Sequence, residues 1–466
     1  MKHRLASRAA AVAVAAILGG CASFSPDGGM DEVRTLAQSR LGAPAKSLAV
    51  DSARNTVETL LQQPLTADAA VEIALINSPG LQAKLAEVGI AEADLVAAGT
   101  LRNPVFAYAS KRNAEVTQIE RSLLVNVAAL ITMPTALAIE QRRFSQAKVA
   151  AAGEVVAMAA GVRQAYFNAV AAQEMVVYYS QVKVAAEAGR DLARRMADVG
   201  NFTKLAQMRE ELFFADATTQ LARAEQAAIG ERERLIRLLG FTQPPAALAL
   251  PARLPAPPSA PITLPTAEQT AMDSRLDVRL AALEAEAVAH TLGVTRTNRF
   301  LNVFEAGYVN ESETGNARKN GYEITLEVPI FDWGSARIAR GEAQYRQALA
   351  RAAEAAVVAR SEVRVSYAAY RSAFDLAKHY RDEVVPLRKR IAEETTLRYN
   401  AMLIGVFELL ADAREQVASV NAAIEATRDF WLADNALQLA LAASADRAIT
   451  PPSRATPTAA AASRGH

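Results

Sequence analysis

Tyr322-Glu323-Ile324-Thr325-Leu326-Glu327-Val328, followed by Pro329-Ile330-Phe331-Asp332-Trp333-Gly334, decides how the rest of the chain is read. Tyr322, Ile324, Leu326 and Val328 alternate with Glu323, Thr325 and Glu327, the period of two of a strand whose faces meet different surroundings. The segment from Pro329 to Gly334 stops the strand. After Gly334 comes a run of about seventy residues rich in Ala, Arg, Glu, Gln and Val, broken only by Pro386. At about 1.5 Å rise per residue such a run is roughly 100 Å of helix. Globular domains use helices of about three turns. A short two-faced strand feeding a very long helix points to a membrane barrel continued by a helical tube.

The chain starts with an export signal. Lys2, Arg4 and Arg8 precede an apolar stretch from Ala9 to Leu18 that is too short to span a bilayer. Leu18-Gly19-Gly20-Cys21 follows and resembles a bacterial lipobox, which implies a signal peptide over 1–20 and a diacylglycerol and N-acyl lipid on Cys21. Ala22 after the cysteine favours the outer membrane by the same resemblance. Cys21 is the only cysteine of the 466 residues, so no internal disulfide forms and stability rests on packing. The formal charge is +1, and loss of Lys2, Arg4 and Arg8 takes it to −2, which gives no reason to expect a nucleic-acid partner. No later stretch holds eighteen unbroken apolar residues. A membrane crossing must then be made by a closed barrel.

The mature chain reads as two repeats. Residues 21–64 are a lipidated, polar N-terminal segment. The first repeat, 65–243, starts with a helix capped by Thr66, with Asp68 in its first turn and a bend at Pro79. A hairpin over 104–128 follows, interrupted on its apolar face by Arg121. After Met133-Pro134 a long helix runs from Ala136 to Asp198, turns near residue 200, and a second helix returns to Leu239-Gly240. Pro-rich 244–265 is an extended linker. The second repeat, 266–441, has one helix over 266–297, with Asp277-Val278-Arg279 standing where Gly80-Leu81-Gln82 stood. It continues with a hairpin over 300–328, a long helix, a tip near 404 and a return helix. The tail, 442–466, reads as disordered. Val155, Val162, Ala169 and Val176, with Met158, Ala165, Ala172 and Tyr179, recur at coiled-coil spacing. Val365, Ala369, Ser372, Leu376 and Tyr380 form a second stripe. Such small, discontinuous stripes suit a helix with neighbours on two sides. Two hairpins supply four strands, which cannot close a barrel. Strands pooled from three copies give twelve and a ring of threefold symmetry.

The order of these motifs resembles the TolC family of outer-membrane efflux proteins. The residues that carry the resemblance are Pro329 to Gly334 with Arg337 and Ala343, Arg398-Tyr399, and Gly405 with Glu408-Leu409-Leu410-Ala411 at the second tip. Val199-Gly200-Asn201-Phe202-Thr203 carries it at the first tip. The likeness spans about Leu65 to Leu441 in both repeats. The family usually has glycine four residues after the tip arginine, where this chain has Met402. The resemblance implies a mostly α homotrimer with a small β part: a 12-stranded transmembrane β-barrel in outer-membrane lipid, continued by a long periplasmic α-helical barrel. It also implies a periplasmic adaptor protein and an inner-membrane efflux transporter as partners. By that resemblance the tips Gly200, Asn201, Phe202, Thr203, Leu403, Ile404, Gly405, Val406 and Phe407 dock the adaptor. Exposed Phe202, Leu403, Ile404 and Phe407 would form an apolar patch for a partner, or else pack the hairpin's own end. Glu393 and Glu394, with Asp198 as a weaker candidate, either ring and narrow the pore or lie on a solvated face. His3, His290, His379 and His466 have no metal-binding spacing, and neither a nucleophile elbow nor a phosphate loop is present. No catalysis and no cofactor is expected. Two other readings stay open: a lipid-anchored periplasmic coiled-coil scaffold that never crosses the membrane, and the channel of a type I protein secretion system.

Overall fold

A computed structural model describes residues 23–41, 53–113, 115–246, 248–263, 266–297, 303–328 and 330–444. The N-terminal segment carries α1 (Met30–Leu41) and α2 (Ala53–Leu60), and the first repeat comprises α3 (Ala67–Asn77), α4 (Pro79–Ala98), β1 (Val105–Arg112), β2 (Thr117–Asn126), α5 (Val127–Asp198) and α6 (Lys204–Leu238). The second comprises α7 (Ala267–Ser274), α8 (Leu276–Thr297), β3 (Phe304–Glu313), β4 (Lys319–Leu326), α9 (Ser335–His379), α10 (Val385–Asn400) and α11 (Val406–Ala442). The sheet formed by the described residues has the order β1-β2-β3-β4, all antiparallel, so both hairpins share one ribbon. The 72 residues of α5 make a rod about 110 Å long.

The two repeats break at matching places. Ser78 ends α3 in an extended conformation and its Oγ accepts from Leu81 N to start α4, with Pro79 in the first helical turn. Arg275 occupies the same place between α7 and α8, also extended. The continuous helix expected over 266–297 is therefore two helices. The cause is Arg275 itself, whose fully buried side chain binds Asp277 and Glu362 and donates to Ala440 O at 2.9 Å.

Three further expectations need correction. The long helix begins at Val127 rather than Ala136, because Asn126 Oδ1 accepts from Ala129 N at 2.7 Å and caps it. Pro134 then sits inside the helix and leaves one carbonyl without its helical donor. The polar N-terminal segment carries a docked helix, α1, with Val33 and Ala37 fully buried. Asp27-Gly28-Gly29 turns the chain into it, with both glycines at positive φ, and Lys148 binds Glu32 on its outer face. The stripe Val365, Ala369, Ser372, Leu376 is largely exposed. The buried stripe of α9 is Ala359, Val363, Tyr370, Phe374 and Ala377, on the opposite side of the helix.

The core runs along α5. Val155, Val162, Ala165 and Ala169 of the sevens series are buried against α3 and the end of α6. Gly240, at φ +79, closes α6 where an added Cβ would lie 2.4 Å from Asn77 O, so glycine is required there. The linker is stitched to both repeats: Leu254 N donates to Glu174 Oε2, Ile262 N to Tyr370 Oη, and Trp431 Nε1 to Pro255 O. Burial raises the pKa of Glu174 above its ordinary value of 4.5, against the Leu254 hydrogen bond, which lowers it. A five-residue π-helical turn, Tyr380–Val384, lies between α9 and α10. Pro386 follows at once, and the wide turn makes room for a residue that cannot donate to the preceding helix.

Candidate functional site

Two regions at opposite ends of the rod carry unusual chemistry. The first is the sheet. Its register sets Phe106, Leu123, Tyr308 and Tyr322 in one row across all four strands. The next row toward the helices is Val125, Ala306 and Ile324, and then come Phe304 and Leu326. Val328 continues that face, so one side of the sheet is apolar from Val328 to Tyr322, about 20 Å along the strand. Beyond the tyrosine row lies Tyr108, Arg121, Asn310 and Asn320. Arg121, which interrupts the apolar pattern in sequence, donates to Asn310 Oδ1 at 3.1 Å and sits over the Tyr108 ring, so it belongs to a polar row that ends the band. At the other end Phe331 and Trp333 are exposed at the strand-to-helix junction, 96% and 61%.

The opposite side of the sheet carries Glu120, Glu305, Glu311, Glu313 and Glu323 with Lys111 and Lys319, together with small residues such as Ala107, Ala109, Ser122 and Gly321. One face is thus apolar and rimmed by aromatics, and the other carries most of the sheet's charge, with Val105, Leu124 and Val309 as its large apolar residues. Both outer strands, β1 and β4, pair on one side only. Gly334, at φ +76, turns the chain from β4 into α9, and its N–H donates to Asp332 Oδ1 at 2.8 Å. This accounts for Asp-Trp-Gly at the junction.

The second region is the pair of tips, and they are built alike. At the first, Gly200 N donates to Ala197 O and Asn201 N to Met196 O, with Gly200 at φ +78. At the second, Met402 N donates to Tyr399 O and Leu403 N to Arg398 O, with Met402 at φ +60. Both are Schellman ends, and the second keeps its left-handed residue although it has a Cβ. Thr203 Oγ1 then caps α6 through Ala206 N at 3.2 Å, whereas Gly405 starts α11 with no side-chain cap.

The tip residues separate into two groups. Phe202 and Val406 are buried with Ala193 and Ala206, and the Phe202 and Phe407 rings stack with centroids 4.5 Å apart. Phe202 is therefore the joint between the two tips rather than part of an exposed patch. Gly200, Asn201, Thr203, Leu403 and Gly405 are exposed, Ile404 is half-buried, and Met402 is 93% exposed beside them. Glu393, Glu394 and Asp198 are all exposed at this same end in the single chain. Glu394 accepts from Arg398 at 2.8 Å, an i, i+4 pair on α10. Cys21 and Pro329 lie outside the described residues.

Sequence reasoning missed the bridge between hairpins: Arg414 of α11 binds Glu210 of α6, and Glu210 is nearly fully buried. Only pairing of the two hairpins reveals it, since the residues lie far apart in sequence. Among the described residues no group of three or more His, Cys, Asp or Glu side chains is placed to hold a metal ion, and no helix is long and apolar enough to cross a membrane.

The fold is that of the outer-membrane channels. A membrane protein from Pseudomonas aeruginosa is 20% identical and superimposes with a TM-score of 0.68 over 80% of this chain and 93% of that one. CusC, whose structures concern folding and transmembrane channel formation, is 15% identical, with a TM-score of 0.68 over 84% and 92%. The open MtrE outer-membrane channel of Neisseria gonorrhoeae is 17% identical, with a TM-score of 0.67 over 80% and 88%. No protein-family model and no curated protein matches the sequence.

Proposed function

We propose that this chain is the outer-membrane channel of a tripartite efflux system, a passive conduit assembled from three copies. The observation that carries the reading is the open, two-faced sheet at the end of helices about 100 Å long. An apolar face of this extent is stable only against lipid or another apolar surface. Unpaired edges cannot stand in lipid, so β1 of one copy must pair with β4 of the next. Strands of eight and ten residues, tilted by about 40°, reach about 20 to 26 Å, which matches the apolar band of outer-membrane barrels. The stripe of α9 exposed in the single chain, Val365, Ala369 and Leu376, supplies a second contact for a neighbouring copy.

In this reading Cys21 holds a diacylglycerol and N-acyl lipid in the inner leaflet of the outer membrane. The helical barrel crosses the periplasm, and Leu403, Ile404 and Gly405, with Gly200, Asn201 and Thr203, meet a periplasmic adaptor. An inner-membrane transporter supplies energy and selects cargo. Glu393 and Glu394, with Asp198 near them, face the pore as the trimer narrows at the tips. The stacked Phe202–Phe407 pair keeps the two tips of one copy moving as a unit. Type I protein secretion would use the same conduit, and cargo chemistry is not written in a passive tunnel.

The test separates spanning from anchoring. Residues 1–21 are replaced by a signal cleaved without lipidation, and outer membranes are washed with alkaline carbonate and urea. A conduit stays in the pellet and runs as a trimer in mild detergent. A lipid-anchored periplasmic scaffold washes off as folded, helical protein, and that outcome would overturn the proposal.

A further inference from the structure

We propose that the cleft between the two helix hairpins, just above the tips, binds a small uncharged aromatic molecule carrying one N–H or O–H donor. The cleft has a volume of about 250 Å³ and is lined by Tyr178, Val182 and Gly189 of α5, Glu210 and Phe213 of α6, and Leu410 of α11. Its ends are defined. At one, Tyr178 Oη donates to Val417 O at 3.3 Å. At the other, Gly189 faces Leu410, whose Cδ2 would lie 3.5 Å from an added Cβ.

The chemistry of the ligand follows from Glu210. This residue is 3% exposed, and its Oε1 binds the Arg414 guanidinium, which also lies over the Phe213 ring. Its Oε2 is buried and has no hydrogen-bond partner. That oxygen would lie 3.6 Å from a Cβ at Gly189, so it points to the cleft. A buried carboxylate oxygen without a donor is costly, and a donor supplied to it makes a strong hydrogen bond. Arg414 already balances the charge of Glu210, and a second cation would sit beside that guanidinium. A neutral donor fits better than an amine.

The walls set the size. An apolar cavity of about 150 Å³ holds benzene. The present cleft is half-open rather than enclosed, and its walls include Gln181 and Gln416 beside Tyr178, Val182, Phe213 and Leu410; its volume has room for two fused rings. Because its walls come from both hairpins, an occupant favours the arrangement in which they are packed together, and so biases the tips toward the state described above. The binding itself does not depend on the channel reading.

The test uses the full chain purified in mild detergent, with indole as probe and titration calorimetry or ligand-observed NMR as readout. N-methylindole has the same rings without the donor, and we expect it to bind at least tenfold more weakly. Gly189→Leu and Ala413→Leu fill the cleft from opposite helices. Each should abolish binding while the circular dichroism and elution volume stay those of the wild type. Partition of indole into detergent is the same for all three proteins and cancels in the comparison. Equal binding of the two indoles, or binding that survives both substitutions, would overturn the proposal. So would absence of indole binding at millimolar concentration, which would leave Oε2 to a water molecule.

Discussion

Ile324 and Glu323 are adjacent on β4, both exposed in the single chain, and they point to opposite sides of the sheet. Arginine at the two positions should behave very differently. Ile324 stands in the row of Val125 and Ala306, about 7 Å along the strand from Tyr322 and about 14 Å from Val328. This is the interior of the apolar band. Arginine on the lipid face near the midplane of a barrel costs about 2 to 4 kcal/mol, and a trimer carries three copies, so Ile324→Arg should cost about 6 to 12 kcal/mol per trimer. Glu323→Arg lies on the charged face, where the guanidinium keeps its water, and should cost less than about 1 kcal/mol per chain while reducing cation preference of the pore. The assay is urea unfolding from lipid vesicles, read by tryptophan fluorescence, with single-channel recordings of the same proteins. A soluble four-stranded sheet would respond weakly and alike at both positions. Equal destabilisation by the two substitutions would refute the assignment of faces.

Three other outcomes are expected. Met402→Gly removes the side chain from a left-handed residue and should stabilise the second tip by about 1 kcal/mol, seen as roughly fivefold slower hydrogen exchange at the amides of residues 402 and 403; unchanged exchange would contradict the strain. Replacing Glu393 and Glu394 together by Ala should raise conductance and lower cation preference, and no change in either would remove them from the gate. Asp434 has its pKa raised by burial, against the charge of Arg163, which lowers it. Its folded form therefore binds protons more tightly than the unfolded chain, and its penalty appears as pH rises above the ordinary value of 3.8. Asp434→Asn should be the more stable protein near neutrality, with the difference closing below pH 3.8 as both states take up the proton. A gap that widens on acidification would reverse the argument.

Much of this architecture is legible in the sequence because its signals are local. Alternation in Tyr322 to Val328, the sevens of α5 and the doubled order of elements each follow from one stretch of chain. The alignment of Asp277 with Gly80 even places Arg275 opposite Ser78, where both repeats break. What stayed hidden depends on partners distant in sequence. Pro134 looked like a helix boundary because its cost is local, while the cap that starts the helix, Asn126, is an ordinary residue at the end of a strand. The exposed and buried stripes of α9 differ by about half a turn, and Ala on both sides gives composition no way to choose between them. For Phe202 the sequence leaves an exposed tip residue and packing of the hairpin's own end equally open, because its cover, Phe407, comes from the other repeat. Glu210 and Arg414 look like any two charges on solvated helices until the hairpins are paired.

The central claim is that β1 of one copy pairs with β4 of the next and closes a ring of three. The most direct measurement is disulfide trapping in outer membranes. Cys21 is the only native cysteine, so with it replaced the background is empty. Ala107→Cys on β1 is combined in turn with cysteine at Lys319, Gly321, Glu323 and Thr325 of β4, all on the same face of the sheet. Closure predicts that one or two registers give covalent dimers and trimers under oxidation and nothing larger. No cross-link at any register, or a ladder that continues beyond three, would contradict it.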